Sequence, residues 1–479
     1  DYADAYINMG ITLEEQGKLE EAIEAYNKAL AIKPDYAEAY NKMGNALKGV
    51  VFTKPSPSLD KTIVTILDHK TYVRPAEISS AAISLLTFEP VLQKVLQRHS
   101  KGQLIQFLHE TVLSLIELPL LLKLMSVCPL ADLKLEGVLA VVRSGLLSSI
   151  SELESSSEVL LFQSALALQC FTNEYVYCQT DNEVKALETL EAVVNESLLR
   201  GEQPSPQAIL CLGTYKALHE YEWCDLLTVT ADIEEVFARQ VIEPKQEIHL
   251  KSDIPVLQEI TNKVSSKVRE QYEASPYPRW ISLGLPSKPI SIHQVTKKLK
   301  LRIHNPKIND VANPAILIGG CGTGRHSIIS AATFKNSTAL AVDLSLVSLA
   351  YAKRQTQEIG VQNIEYMHAD ILDLGKLNRQ FDIVESAGVL HHMDDPMVGW
   401  RVLTDCLKSG GLMRIGLYSE SARRHIVKIR QEIRHSGVGS SDASIKIFRR
   451  ELMDSNEIHH KTILDSGDFY STSEVRDLL

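Results

Sequence analysis

The apolar run Ile316-Leu-Ile318 passes directly into Gly319-Gly-Cys-Gly-Thr-Gly324, and an amphipathic segment follows. Nineteen residues after Gly324, a second apolar run, Ala339-Leu-Ala-Val342, ends on the carboxylate of Asp343. Strand, glycine turn, helix and a second strand closed by an acid make up the first half of a doubly wound nucleotide fold. Glycines let backbone approach a ligand with no side chain in the way, and the opening N–H groups of the next helix face its anionic end. A carboxylate at the tip of the second strand is placed to accept hydrogen bonds from two ribose hydroxyls.

The glycines at 320, 322 and 324 read G-x-G-x-G, whereas the dinucleotide fingerprint is G-x-G-x-x-G; the last glycine comes one residue early. Three further elements follow at regular spacing. Ile364-Glu-Tyr-Met-His-Ala-Asp370-Ile371 reads as a third strand ending in an acid. Phe381-Asp-Ile-Val-Glu-Ser-Ala-Gly-Val-Leu-His391-His392-Met-Asp-Asp-Pro396 reads as a fourth strand running into a loop, and Lys408-Ser-Gly-Gly411 to Leu417 as a turn and fifth strand. Together they resemble class I S-adenosylmethionine (SAM) methyltransferases, and the Val-Leu-His-His…Asp-Pro element is similar to that of enzymes related to ubiquinone and menaquinone methylation.

That resemblance implies SAM as cofactor. Its contacts would fall on Gly320, Cys321, Gly322, Thr323, Gly324 and Arg325, on Asp343 and Leu344, on Asp370 and Ile371 near the adenine, and on Gly388. His391 and His392 stand where a base reaches an acceptor, and Tyr272 upstream is the third candidate catalytic side chain. Methyl transfer from a sulfonium is an in-line displacement that needs a base only when the acceptor must lose a proton early, so a structural role for the His pair stays open. One departure stands out: the family carries an acid two residues before the first glycine, and here that position is Ile318.

At 479 residues the chain has room for two to four domains. A net charge of −10 argues against generalised nucleic-acid binding. Seven dispersed cysteines with no C-x-x-C pair read as reduced thiols, which places the chain in the cytoplasm; the helical stretch from Leu59 to about Leu250 shows no metal-ligand spacing, and no metal is expected. The most apolar stretch, Leu113 to Leu130, is broken by Glu117, Pro119, Lys123 and Pro129, so no membrane association is expected. A start at Asp1 rather than Met reads as a fragment.

Asp1-Tyr-Ala-Asp-Ala-Tyr6 returns as Asp35-Tyr-Ala-Glu-Ala-Tyr40, a 34-residue period. Between them Gly10, Gly17, Ala22, Tyr26, Ala29 and Pro34 fall on tetratricopeptide (TPR) positions, a resemblance implying paired antiparallel helices and a groove for a protein partner. Lys54-Pro-Ser-Pro-Ser58 reads as a linker, and helical periodicity then runs to about Leu250. Asp181 is the expected cap of one helix and Ser205 of the next. Val268 to Trp280 carries two prolines and three aromatics, a stiff strip that reads either as a lid over the cofactor or as a packed connector.

The predicted architecture is multidomain: an all-α N-terminal part (TPR repeat 1–49, helical domain 55–250 of unassigned role), a linker or lid over 260–290, and an α/β Rossmann-like class I methyltransferase domain over 291–479, truncated at its C-terminal end. The layout is similar to a bacterial family in which such repeats precede a methyltransferase. Two readings compete with a methyltransferase acting on an unidentified acceptor, for which protein is favoured by association with the repeats. One is an interaction scaffold with a degenerate methyltransferase fold; the other is a nicotinamide-dependent oxidoreductase, which leaves the glycine spacing unexplained.

Overall fold

The computed structural model describes residues 2–152, 156–274, 276, 279–437, 439, 441–465 and 469–478. The chain forms two compact units, one of residues 1–245 with 425–479, the other of residues 246–424.

The first unit is helical. Helices α1 (Tyr2–Glu15), α2 (Leu19–Ile32) and α3 (Ala37–Ala46) carry the 34-residue repeat. Gly10 permits the close approach of α1 and α2: a Cβ there would lie 2.3 Å from Cε1 of Tyr26. Tyr36, from the second copy of the phrase, donates to Asp4 of the first at 2.5 Å, so the repeat also bonds to itself across one period. The Asp181–Leu199 helix is capped by Thr180, not by Asp181. Thr180 Oγ1 accepts from Glu183 N at 3.3 Å while Glu183 Oε2 accepts from Thr180 N at 2.8 Å. A reciprocal capping box satisfies two helix-end donors where a lone aspartate satisfies one. Ser205 caps the Pro206–Gly213 helix as expected.

Residues 425–479 do not extend the sheet-bearing unit, as the 291–479 boundary expected; they complete the helical one. Their core of Ile429, Ile433, Ile445, Phe448, Ile463 and Phe469 packs with Ala131 and Leu133. The buried guanidinium of Arg449 grips Glu136 with two bonds of 2.5 Å each and donates to the Phe469 carbonyl at 2.9 Å. Thr472 Oγ1 donates to the Glu174 carbonyl at 2.7 Å.

The second unit holds a five-stranded sheet in the order β3-β2-β1-β4-β5: β1 Ala315–Gly319, β2 Thr338–Asp343, β3 Ile364–His368, β4 Phe381–Ala387 and β5 Leu407–Gly416. Every neighbouring pair is parallel. Ile316, Ile318, Ala339, Ala341 and Ile383 pack on Ala331, Phe334, Leu349 and Ala350 on one face. Leu317, Leu340, Val342 and Val384 pack on Leu390, Leu403 and Cys406 on the other. Burial on both faces is why these strands read as unbroken apolar runs. Beyond β3, His368 N donates to Pro255 O at 2.9 Å and Leu257 N to His368 O at 3.0 Å, which covers that sheet edge. The expected Lys408–Gly411 turn lies inside β5, where the β4–β5 register shifts between Phe381 and Ile383 and Gly410 adopts φ +81°.

Candidate functional site

The strand order reverses between β1 and β4, so the crevice beyond their C-terminal ends is the topological switch point where doubly wound sheets bind ligands. The glycine turn sits there. Gly320, Gly322 and Gly324 have φ of +72°, +53° and +85°, a left-handed run that side chains other than glycine strain to adopt. A Cβ on Gly320 would fall 2.4 Å from Val389 Cγ2, and one on Gly324 2.6 Å from Ala352 Cβ. Gly320 N and Cys321 N both donate to the Val342 carbonyl at 2.9 Å, tying the turn to the end of β2.

Asp343, at that end, accepts from Gly322 N through Oδ2 at 2.7 Å and from Ser345 N through Oδ1 at 2.9 Å. Burial pushes its carboxyl above the ordinary value, against the pull of these donors and of His368. A carboxylate has about four acceptor positions, so two backbone bonds leave room for a pair of hydroxyls. The chain therefore fits a nucleoside-bearing cofactor: a side-chain-free turn, the N-terminus of the Arg325–Thr333 helix and a backbone-anchored acid share one crevice. Arg325 opens that helix and is half-buried, as is Leu344.

Asp370 does not end β3; it caps the short helix Ile371–Leu377, accepting from Leu372 N at 3.0 Å, with Ile371 buried behind it. Gly388 follows β4 at φ +76° and donates to the Gly416 carbonyl at 3.0 Å. Cys321 is buried, and burial with the nearby Asp343 raises its thiol well above the usual range, which suits a small packing residue and not a nucleophile.

The three candidate catalytic side chains come together. Tyr272 meets His392 edge-on at 6.4 Å between ring centres, and His392 lies 4.3 Å from His391. His391 also faces Tyr418 at 4.0 Å, and the Arg423 guanidinium lies 3.7 Å over Tyr418. The Lys263–Ala274 helix brings Tyr272 there. Its Glu273 accepts from Leu346 N at 2.5 Å, at the N-terminus of the Leu346–Ile359 helix, and the Tyr272 carbonyl accepts from Ser345 Oγ at 3.2 Å. Within the aromatic strip, Ser275, Tyr277 and Pro278 lie outside the described residues. Trp280 is buried: its N–H groups donate to Tyr351 Oη and to the Thr323 carbonyl, each at 3.0 Å, and its carbonyl accepts from Gln355 at 2.9 Å.

Sequence reasoning missed a buried acid on β4. Glu385 pairs in register with Ile318, so a carboxylate stands one strand away from the position where β1 lacks one. It accepts from Ser330 Oγ and lies 3.0 Å from His326 Nε2, both on the helix that opens at the glycine turn. Burial opposes its ionisation, but His326, Ser330 and Arg414 outweigh that and hold the carboxyl below its ordinary value. The available signal was a glutamate inside the strand Ile383-Val-Glu-Ser-Ala387, where it is the only charged residue, a costly placement unless partnered.

Comparison with known proteins agrees with these elements. Residues 316–411 match the family model described as a methyltransferase domain, and residues 13–49 match a TPR repeat. An uncharacterized protein of Synechococcus is 33% identical over 124 residues, 26% of this chain and 30% of that protein. The ubiquinone biosynthesis O-methyltransferase of Acinetobacter baumannii is 23% identical over 139 residues, 29% of this chain and 57% of that enzyme. Among solved structures, PKMT2 from Rickettsia typhi in complex with AdoHcy is 20% identical with a TM-score of 0.26, covering 32% of this chain and 31% of that one. The chain thus spans less than a third of the length of the Synechococcus relative.

Proposed function

We propose that residues 246–424 form a SAM-dependent methyltransferase of class I, with a protein as the acceptor. The observation that carries this reading is the bond from Gly322 N to Asp343 at the switch point of the 3-2-1-4-5 sheet. It fixes the ligand-facing turn and the ribose-binding acid to each other before any ligand arrives. Gly320 to Arg325 would hold the methionine end of SAM, Asp343 and Leu344 the ribose, and Asp370 and Ile371 the adenine side. Bound SAM supplies an electrophilic methyl on a good leaving group; what remains for the chain is alignment and exclusion of water.

Tyr272, His391 and His392 line the acceptor side. An imidazole at His391 or His392 is placed to take a proton from an incoming nucleophile, and the edge contact with Tyr272 holds the His392 ring. Arg423 and Tyr418 add a cationic and aromatic rim that suits a polar chain segment more than a buried lipid tail. The TPR repeat at 13–49 supports a protein as acceptor or partner.

Calorimetric titration of the chain with SAM, S-adenosylhomocysteine and NAD tests the reading. Stoichiometric binding of the two sulfur nucleosides without NAD is expected. Binding of NAD alone assigns the crevice to hydride chemistry, and binding of none of the three leaves an interaction scaffold.

A further inference from the structure

The C-terminal helices bring three metal-ligating side chains together within the helical unit. Glu432 lies on the Arg424–Ser436 helix, and His459 and His460 begin the Ile458–Asp465 helix. His459 Nε2 is 2.6 Å from Glu432 Oε1, and His460 Nε2 is 2.6 Å from Glu432 Oε2. One ligand atom from each residue lies within 4.8 Å of the others. His460 Nδ1 is also 2.7 Å from Ser455 Oγ. When Nδ1–H donates to that hydroxyl, Nε2 turns a lone pair toward a carboxylate oxygen.

Two lone pairs at such a distance repel unless positive charge lies between them. A proton on Nε2 of each neutral imidazole supplies it when no ion is bound, with His460 Nδ1 then accepting from Ser455. One divalent ion shared by all three groups supplies it in place of both protons. Zinc takes histidine nitrogen and carboxylate oxygen at about 2.0–2.2 Å, which sets tetrahedral ligand atoms roughly 3.3 Å apart. Glu432 has a side chain 46% exposed and can give way by the roughly 0.7 Å this needs. The Nδ1 bond to Ser455 is the outer contact that orients a metal-binding imidazole.

We propose that Glu432, His459 and His460 bind a divalent transition ion of the zinc type, with Ser455 orienting His460 and a fourth position open to water. The ion ties together two helices whose ligands are 27 and 28 residues apart in the chain. It requires no part of the methyltransferase crevice.

Cobalt(II) titrated into the full chain tests the site. One equivalent is expected to bind with visible ligand-field absorption and no thiolate charge-transfer band, to be displaced by zinc, and to raise the melting temperature. Glu432→Gln, which keeps the shape of the side chain, should weaken binding at least tenfold, His459→Ala with His460→Ala should abolish it, and Ser455→Ala should weaken it about tenfold. Melting of each metal-free variant shows whether it is folded, and Glu432→Gln stands as the deciding variant if the double substitution unfolds. A thiolate band, no saturable binding, or affinity unchanged in folded Glu432→Gln overturns the proposal.

Discussion

The indole N–H of Trp280 donates to the main-chain carbonyl of Thr323 at 3.0 Å, which joins the end of the aromatic strip to the middle of the glycine turn. Trp280 also sits in a small core with Leu283, Ile328 and Tyr351. The C-terminal end of the strip is therefore a wall of the turn, and the lid reading rests on its Tyr272 end.

Trp280→Phe keeps most of the apolar contact and removes the bond to Thr323. Loss of one buried hydrogen bond costs about 0.5–1.5 kcal/mol. The variant should melt lower than the parent and bind SAM about tenfold more weakly, measured by calorimetry. Hydrogen exchange over residues 279–284 should be slow with and without SAM, while exchange over 263–274 slows when SAM is added. Equal exchange over 263–274 in both states removes the lid.

Asp343→Ala deletes the acceptor of both Gly322 N and Ser345 N. Loss of charge-assisted bonds of this kind costs about 1.5–3 kcal/mol, so the SAM dissociation constant should rise ten- to a hundredfold. Gly322→Val should abolish binding, because a β-branched residue is strained at φ +53°. Unchanged affinity in both variants would place the nucleoside elsewhere.

Glu385 contributes to stability with a definite pH sign. Its carboxyl is lowered from 4.5 in the folded unit, so its stabilisation is present above pH 4.5 and is lost as pH falls through the folded value. Denaturant midpoints of the parent should drop on acidification below pH 4.5, and Glu385→Gln should show a flatter profile there. Glu385→Gln should also weaken SAM, because His326 and Ser330 lose the charge that holds the helix behind the turn; Ile318→Asp in the same chain tests whether an acid one strand over restores it. Parallel acid profiles for parent and Glu385→Gln would remove Glu385 from this role.

Removal of residues 1–49 should leave the SAM dissociation constant within about twofold of the parent. The repeat and the glycine turn belong to different compact units, each with its own core. Lost binding in a truncated chain whose sheet unit is folded would make the repeat part of the cofactor site.

The strands and the turn were legible because a parallel sheet covered on both faces writes apolar runs, and the turn needs glycine at three φ-positive positions. The cluster around the His pair was half legible: His391 and His392 stood out by type, but Tyr418, which faces His391, and Arg423, which lies over Tyr418, come from the segment after β5. The Asp181 cap was displaced by one residue because Thr180 with Glu183 makes the better reciprocal pair. Residues 425–479 lie with the helical unit for a reason that spacing does not carry. Amphipathic spacing says that Ile426, Ile429 and Ile433 are buried, but not against what. That choice rests on Arg449 meeting Glu136, a pairing 313 residues apart.

The same pairing sets an order of events during synthesis. Residues 246–424 are contiguous, so once they have left the ribosome the sheet has every strand it needs. The helical unit began earlier but finishes later: Glu136 waits with its negative charge in a forming core until Arg449 emerges. A buried acid without its counter-charge is strongly destabilising, so the helix that carries Glu136 is expected to pack fully only after Arg449 is made. Residues 133–148, which carry Glu136, are thus made before the sheet unit but complete their core only after it.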